Sequence, residues 1–211
     1  MQETKYNVDD KRYWENLYKN KHTPWQLNSY APPLKTFLDS PYSLPPGKIA
    51  VLGCGRGHDC MLFAQYGFEV TGIDFSSTAI NSCLEKFNQA GISGTRGFLL
   101  EKDIFDCHEY DNYFDYVLEH TCFCSVHPSR RRQYAYTVND LLKPSGKFIA
   151  LFWTLERKGS GPPFALDRTE LFDYFKDLFN FDIVHQPTDS VPDRQGKELF
   201  MLMTPKKGQK P

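Results

Sequence analysis

The residues best placed to do chemistry lie in Gly53-Cys54-Gly55-Arg56-Gly57 and in Asp74, which follows Gly53 by 21 positions. Glycines there let the backbone turn sharply and come close to a ligand with no Cβ in the way, and a carboxylate at that distance can accept hydrogen bonds from both hydroxyls of a ribose. A dinucleotide fingerprint would need Gly or Ala at position 58, where His58 stands, so a pyrophosphate-bearing cofactor fits poorly. The G-x-G-x-G spelling suits a nucleoside ligand that brings no phosphate pair to a helix N-terminus, and S-adenosylmethionine is such a ligand. Gly53, Cys54, Gly55, Asp74 and the adjacent Phe75 form a first candidate cofactor-binding set.

The elements that must position these residues alternate. Residues 9–19 read as a helix, a Thr23-Pro24-Trp25 break follows, and residues 33–39 form a short helix opened by a Pro pair. Strands are expected at 48–52, 68–74, 97–100, 113–118 and 147–153, with helices at 58–66, from Ser76 or Ser77 to 89, and at 129–142. A Gly-Ser-Gly-Pro-Pro loop at 159–163, a helix at 168–178 and strands at 181–185 and 198–204 complete the chain. Such alternation implies an α/β fold whose mostly parallel sheet is covered by helices on both faces. The last two strands have no helix between them and can pair as an antiparallel hairpin at one edge. We expect one domain over 1–211, with an N-terminal lid segment at 1–46, a Rossmann-like core at 47–204 and a disordered tail at 205–211. In an open sheet of this type the ligand lies beyond the carboxyl ends of the strands, where strand order reverses.

Composition narrows the functions. Lys and Arg total 25 against 26 for Asp and Glu, a net charge of -1, so no global basic field draws the chain to nucleic acid or anionic lipid. No apolar run approaches the roughly 20 residues of a membrane span. The polar N-terminus lacks the apolar stretch of a secretory signal, and a cytoplasmic monomer acting on a small molecule is expected. The six cysteines are too sparse for a disulfide framework, and Cys122-x-Cys124 lacks the further close ligands a zinc site needs, so no metal is expected. No Ser/His/Asp order and no His-x-x-Glu motif is present.

Beyond these readings, Gly53-Cys54-Gly55-Arg56-Gly57-His58-Asp59 resembles the first motif of the small-molecule S-adenosylmethionine-dependent methyltransferases, specifically the thiopurine S-methyltransferase superfamily with its thiol/halide methyltransferases. The resemblance spans most of the chain. Tyr13-Trp14-Glu15-Asn16-Leu17-Tyr18 and Thr23-Pro24-Trp25 are similar to the family's W-x-x-x-W and T-P-W, with Tyr18 in place of the second Trp. Asp103-Ile104-Phe105 resembles D-V-F, Arg131-Arg132-Gln133-Tyr134 resembles R-x-x-Y, and Gly161-Pro162-Pro163-Phe164 resembles G-P-P-[YF].

The resemblance implies a class I methyltransferase fold with a seven-stranded sheet and an N-terminal helical lid, S-adenosylmethionine as cofactor, and methyl transfer to a small thiol, hydrosulfide, halide or thiopurine. It implies that Trp14, Tyr18 and Trp25 cover the methionine end of the cofactor, where aromatic faces attract a sulfonium by about 0.5–2 kcal/mol each. Asp103, Ile104 and Phe105 would take the adenine, Glu119 and His120 would lie beside the cofactor, and Arg131 would hold an anionic acceptor as the catalytic residue, with Phe123 and Phe164 shaping its pocket. In-line displacement by a nucleophile that arrives as an anion needs no general base. An oxygen, nitrogen or metalloid acceptor, with His120 as a candidate base, and a non-catalytic S-adenosylmethionine-binding protein are the competing readings.

Overall fold

Lys48–Leu52 forms β1, in which Ile49 to Leu52 are all buried, the mark of a parallel strand covered on both faces. In this computed structural model, which describes residues 7–92, 94, 96–155 and 161–207, β1 is flanked by β2 (Glu69–Asp74) and β4 (Phe114–His120), with Val51 opposite both Gly72 and Leu118. β3 (Gly97–Glu101) pairs with the outer side of β2, and β5 (Leu142–Trp153) with β4. The seven-stranded order is β3-β2-β1-β4-β5-β7-β6, so strand order reverses between β1 and β4. β7 (Glu198–Pro205) runs antiparallel between β5 and β6 (Phe179–His185), giving the class I methyltransferase arrangement.

The helices follow local signals closely. α1 (Lys11–Lys19) is capped by Asp10, which accepts from the Arg12 amide, and α2 (Pro32–Asp39) begins on its two prolines. α3 (His58–Gln65) follows the glycine turn, and α4 (Ser77–Gln89) is capped by the Ser76 hydroxyl, which accepts from the Ala79 amide at 3.1 Å. α5 (Arg131–Leu141) and α6 (Arg168–Phe175) cover one face, where Phe123, Phe148, Phe152, Phe175 and Phe179 form the densest part of the core. The opposite face packs Leu34, Phe37, Phe63, Phe68 and Phe87 over β1 and β2.

Several boundaries differ from expectation: β4 runs on to His120, α6 ends at Phe175 and β6 starts at Phe179, and two further differences bear on the packing. β5 begins at Leu142, five residues early, because Pro144 drives the residue before it into extended backbone and Leu142 then pairs with Phe114 across a register shift. The expected tail at 205–211 is in part the end of β7 and its anchor: the Lys207 ammonium donates to the Leu142 carbonyl and the Asn112 amide oxygen. Its last four residues, and 156–160 in the loop after β5, lie outside the described residues.

Candidate active site

The carboxyl ends of β1 to β5 open into one cavity of about 800 Å³. Its floor and walls come from Gly53 after β1, Asp74 and Phe75 at the end of β2, Ile104 and Phe105 after β3, Thr121, Cys122 and Cys124 to Val126 after β4, and Trp153, Leu155 and Gly161 to Pro163 at and beyond the end of β5, while the segment from Val8 to Trp25 covers it. A volume of this size suits a nucleoside-sized ligand with room beside it.

Asp74 organises the glycine turn. One of its oxygens accepts from the Gly55 amide and the other from the Ser76 amide, both at 2.9 Å. Burial pushes its carboxyl up to about 6, against the opposing pull of those two amides. Two amides leave lone pairs free on a carboxylate that offers about four acceptor sites, so both ribose hydroxyls can still be held. Gly55 has φ +54°, and a Cβ there would stand 2.9 Å from the Tyr18 hydroxyl oxygen, so this glycine admits the lid's aromatic ring to the turn. Cys54 contributes backbone: its amide donates to Ile73, and its thiol turns under the turn toward Gly72.

Ile104 and Phe105 line the cavity, but Asp103 is not part of its lining, and one of its oxygens accepts from the Phe105 amide at 2.9 Å as the cap of the 3₁₀ turn 104–106. Asp103 thus sets its two neighbours in the wall. The Arg130 guanidinium lies 3.8 Å over the Phe105 ring and pairs with Asp9 at 2.7 Å, bringing the N-terminal segment across the same edge.

Trp14, Tyr18 and Trp25 do come together. Trp25 meets Trp14 at 5.6 Å and Tyr18 at 5.8 Å, both edge to face, and all three line the cavity. The Trp14 indole N–H donates to the Val8 carbonyl at 2.8 Å. Glu15, to which sequence reasoning gave no role, docks α1 on the start of α4: its carboxylate accepts from the Ser76 hydroxyl at 2.6 Å, the Thr78 hydroxyl at 2.7 Å and the Thr78 amide at 3.2 Å. Burial works to raise its carboxyl, but the Ser76 and Thr78 bonds outweigh it and hold the group at about 2.

After β4 the backbone turns at Thr121 with φ +63°, a costly conformation for a β-branched residue, and so enters the cavity wall. Glu119 points the other way. Fully buried, it accepts from the Phe123 amide at 2.8 Å and the Tyr134 hydroxyl at 2.5 Å, and burial pushes it up to about 7; it braces the 121–125 turn from behind. His120 also lies behind the wall, between Asp59 at 2.6 Å and Arg194 at 2.8 Å. Guanidinium can only donate, so the His120 Nε2 is the acceptor and Nδ1 carries the proton toward Asp59; a nitrogen so engaged takes no proton from a substrate.

Arg131 is the clearest departure from expectation. Its side chain has 0% exposure and stays out of the cavity lining, donating to the carbonyls of Ala165 at 2.9 Å and Phe164 at 3.4 Å and pairing with Glu170 at 3.2 Å. A residue on the first turn of α5 can face inward or outward, and here the face belongs to the core. Phe123 and Phe164 are likewise buried, at 0% and 4%, and that side of the cavity is lined instead by Cys124, Ser125, Val126, Trp153 and the two prolines. Burial raises the Cys122 thiol well above its ordinary value and pushes Cys124 up to about 12, so neither is a thiolate nucleophile.

The family model for thiopurine S-methyltransferase matches residues 9–206. The chain belongs to that family. This methyltransferase is 30% identical over 186 residues to thiocyanate methyltransferase 1 of Arabidopsis thaliana, covering 88% of this chain and 81% of the relative. It is 32% identical over 157 residues to a probable thiol methyltransferase 2 of the same plant, covering 74% and 68%. Among solved structures it is similar to a Burkholderia thailandensis 1,6-didemethyltoxoflavin-N1-methyltransferase with bound S-adenosylhomocysteine, with a TM-score of 0.73, 17% identity and coverage of 92% and 86%, a likeness of fold. The methyltransferase uses S-adenosylmethionine, and the ribose-ready carboxylate, the Cβ-free approach at Gly55 and the aromatic cover fit that group.

Proposed function

We propose that the methyl acceptor is a small soft nucleophile that arrives as an anion: hydrosulfide, a thiolate, a thiopurine, thiocyanate or a halide. The observation that carries this reading is the chemistry of the cavity wall. Of the carboxylates that line it, Asp74 is bound to the glycine turn and Asp9 to Arg130, and His22 is exposed at the rim. Among the described residues of the inner wall, the carboxylate with lone pairs to spare is Asp74, which this reading gives to the ribose, so a substrate that must lose a proton is left without a base, whereas a soft anion needs only alignment in a dry pocket.

S-adenosylmethionine supplies an electrophilic methyl carbon on a sulfonium. Asp74 would hold the ribose, Ile104 and Phe105 would flank the adenine, and Trp14, Tyr18 and Trp25 would face the cationic end. Thr121, Cys124, Val126, Trp153, Pro162 and Pro163 would line up the acceptor opposite. Arg131 would act at one remove, by fastening the loop that carries the prolines. Near-balanced charge favours a small molecule over nucleic acid as partner.

Steady-state rates with iodide, hydrosulfide, thiocyanate, thiophenol, a catechol and a primary amine test the acceptor class. The soft anions should lead. A catechol or amine turned over tenfold faster than all of them would overturn this acceptor assignment and leave methyl transfer standing.

A further inference from the structure

Between the lid and the sheet lies a buried charged network that the reading of the cavity does not use. Arg194 sits on a 3₁₀ turn, Pro192–Arg194, in the connection from β6 to β7, and only 4% of its side chain is exposed. Its guanidinium has four neighbours. Nη1 donates to Nε2 of His120 at 2.8 Å and to Glu198 on β7 at 3.4 Å; Nη2 donates to the main-chain carbonyl of Trp25; and the group's centre lies 5.0 Å from the Trp153 ring. His120 passes the contact on to Asp59 on α3, whose other oxygen accepts from the Ala31 amide at 3.0 Å.

Both ends of the 25–31 segment are thereby tied to one chain of hydrogen bonds, Trp25 through Arg194 and Ala31 through Asp59. We propose that Arg194 is a positioning residue for the cofactor site: with His120 as the spacer and Asp59 as the far anchor, it straps the N-terminal lid to the sheet and sets Trp25 over the cavity. The chemistry of each member matches that role. A guanidinium offers donors in a rigid fork, so one side chain can serve the lid carbonyl, the imidazole and Glu198 together. Burying a charge so deep is costly unless it is paired and hydrogen-bonded, and these contacts offset that cost. The strap acts through Trp25, whose ring contacts Trp14 and Tyr18, and through Tyr18, whose hydroxyl rests on the glycine turn at Gly55. Arg194 thus reaches the cofactor's aromatic cover while remaining behind the cavity wall.

Two measurements that need no methyl acceptor test this. In the empty protein, Arg194→Met should raise hydrogen exchange of residues 21–31 at least tenfold while β1 and β4 stay protected, and calorimetry should show S-adenosylhomocysteine binding at least tenfold weaker. His120→Leu should move both readings in the same direction. His120→Asn, whose amide can both accept from Arg194 and donate to Asp59, should recover most of the loss, which a general side-chain deletion at a core site would not predict. Should Arg194→Met fail to fold, Arg194→Lys, which can serve one partner at a time, gives an intermediate effect in the same two readings. Unchanged exchange at 21–31 in a folded variant, or His120→Asn no better than His120→Leu, would overturn the proposal.

Discussion

Asp74 carries two burdens that pull in opposite directions. In the proposed site its charge would serve the ribose hydroxyls, yet burial raises its carboxyl to about 6, so the ionised form destabilises the empty fold. A raised carboxyl favours the folded state below its ordinary value near 3.8, and that contribution is lost as pH rises through about 6. Cofactor affinity should run the other way, falling as pH drops through 6. Asp74→Ala should weaken S-adenosylhomocysteine binding by about 1.5–3 kcal/mol, the range for hydrogen bonds to a charged group, which calorimetry at pH 8 would measure. At Arg131 the expected phenotype is structural. Arg131→Ala leaves two inward carbonyls without a donor, at about 1–3 kcal/mol each, so denaturant unfolding should show a loss of stability with cofactor affinity little changed. The sequence placed Arg131 near the acceptor because a motif records an order of residues, whereas which way a guanidinium turns is decided by the carbonyls of a loop more than 30 residues away.

Elements were easier to read than their contacts. β1 announces itself through a continuous apolar run, β2 through Val70 and Ile73 ahead of a closing Asp, and α4 through a Ser cap, signals contained within a few neighbouring residues, and they lie within a residue of where they were expected. The attachment of α1 was not legible, since Glu15 finds Ser76 across 61 positions and Trp25 finds Arg194 across 169. An Arg and a Glu four apart around Gly196, in a turn between two strands, is the one local hint of the second contact. The docking of α1 has a measurable signature in acid. Glu15 is held at about 2 against its usual 4.5, so its contribution is complete above pH 4.5 and is lost as pH falls toward 2. Glu15→Gln should therefore cost up to about 3 kcal/mol at pH 7, with variant and parent converging near pH 2 in unfolding measurements, and the amides of residues 11–19 should exchange faster at neutral pH.

On the scale of the whole molecule, the lid is tied to α3, α4, β4 and β7 through Asp59, Ser76 and Thr78, His120, and Glu198. Melting should therefore be a single event. S-adenosylhomocysteine at a hundred times its dissociation constant should raise the unfolding free energy by about 2.7 kcal/mol, with tryptophan fluorescence and far-ultraviolet dichroism shifting together; a fluorescence transition well below the dichroic one would mark the lid as a separate unit. The cavity itself is divided along the line where strand order reverses. The ends of β1, β2 and β3 and the loops after them supply Gly53, Asp74 and Phe105, while those of β4 and β5 supply Cys124, Val126, Trp153 and Pro163. Descent can act on these two halves at different rates. With the donor in the first half and the recipient in the second, as proposed, mutations in the second would redirect the methyl group one substitution at a time, so a lineage built on this scaffold could diversify its chemistry without ever passing through an ancestor that has lost its donor.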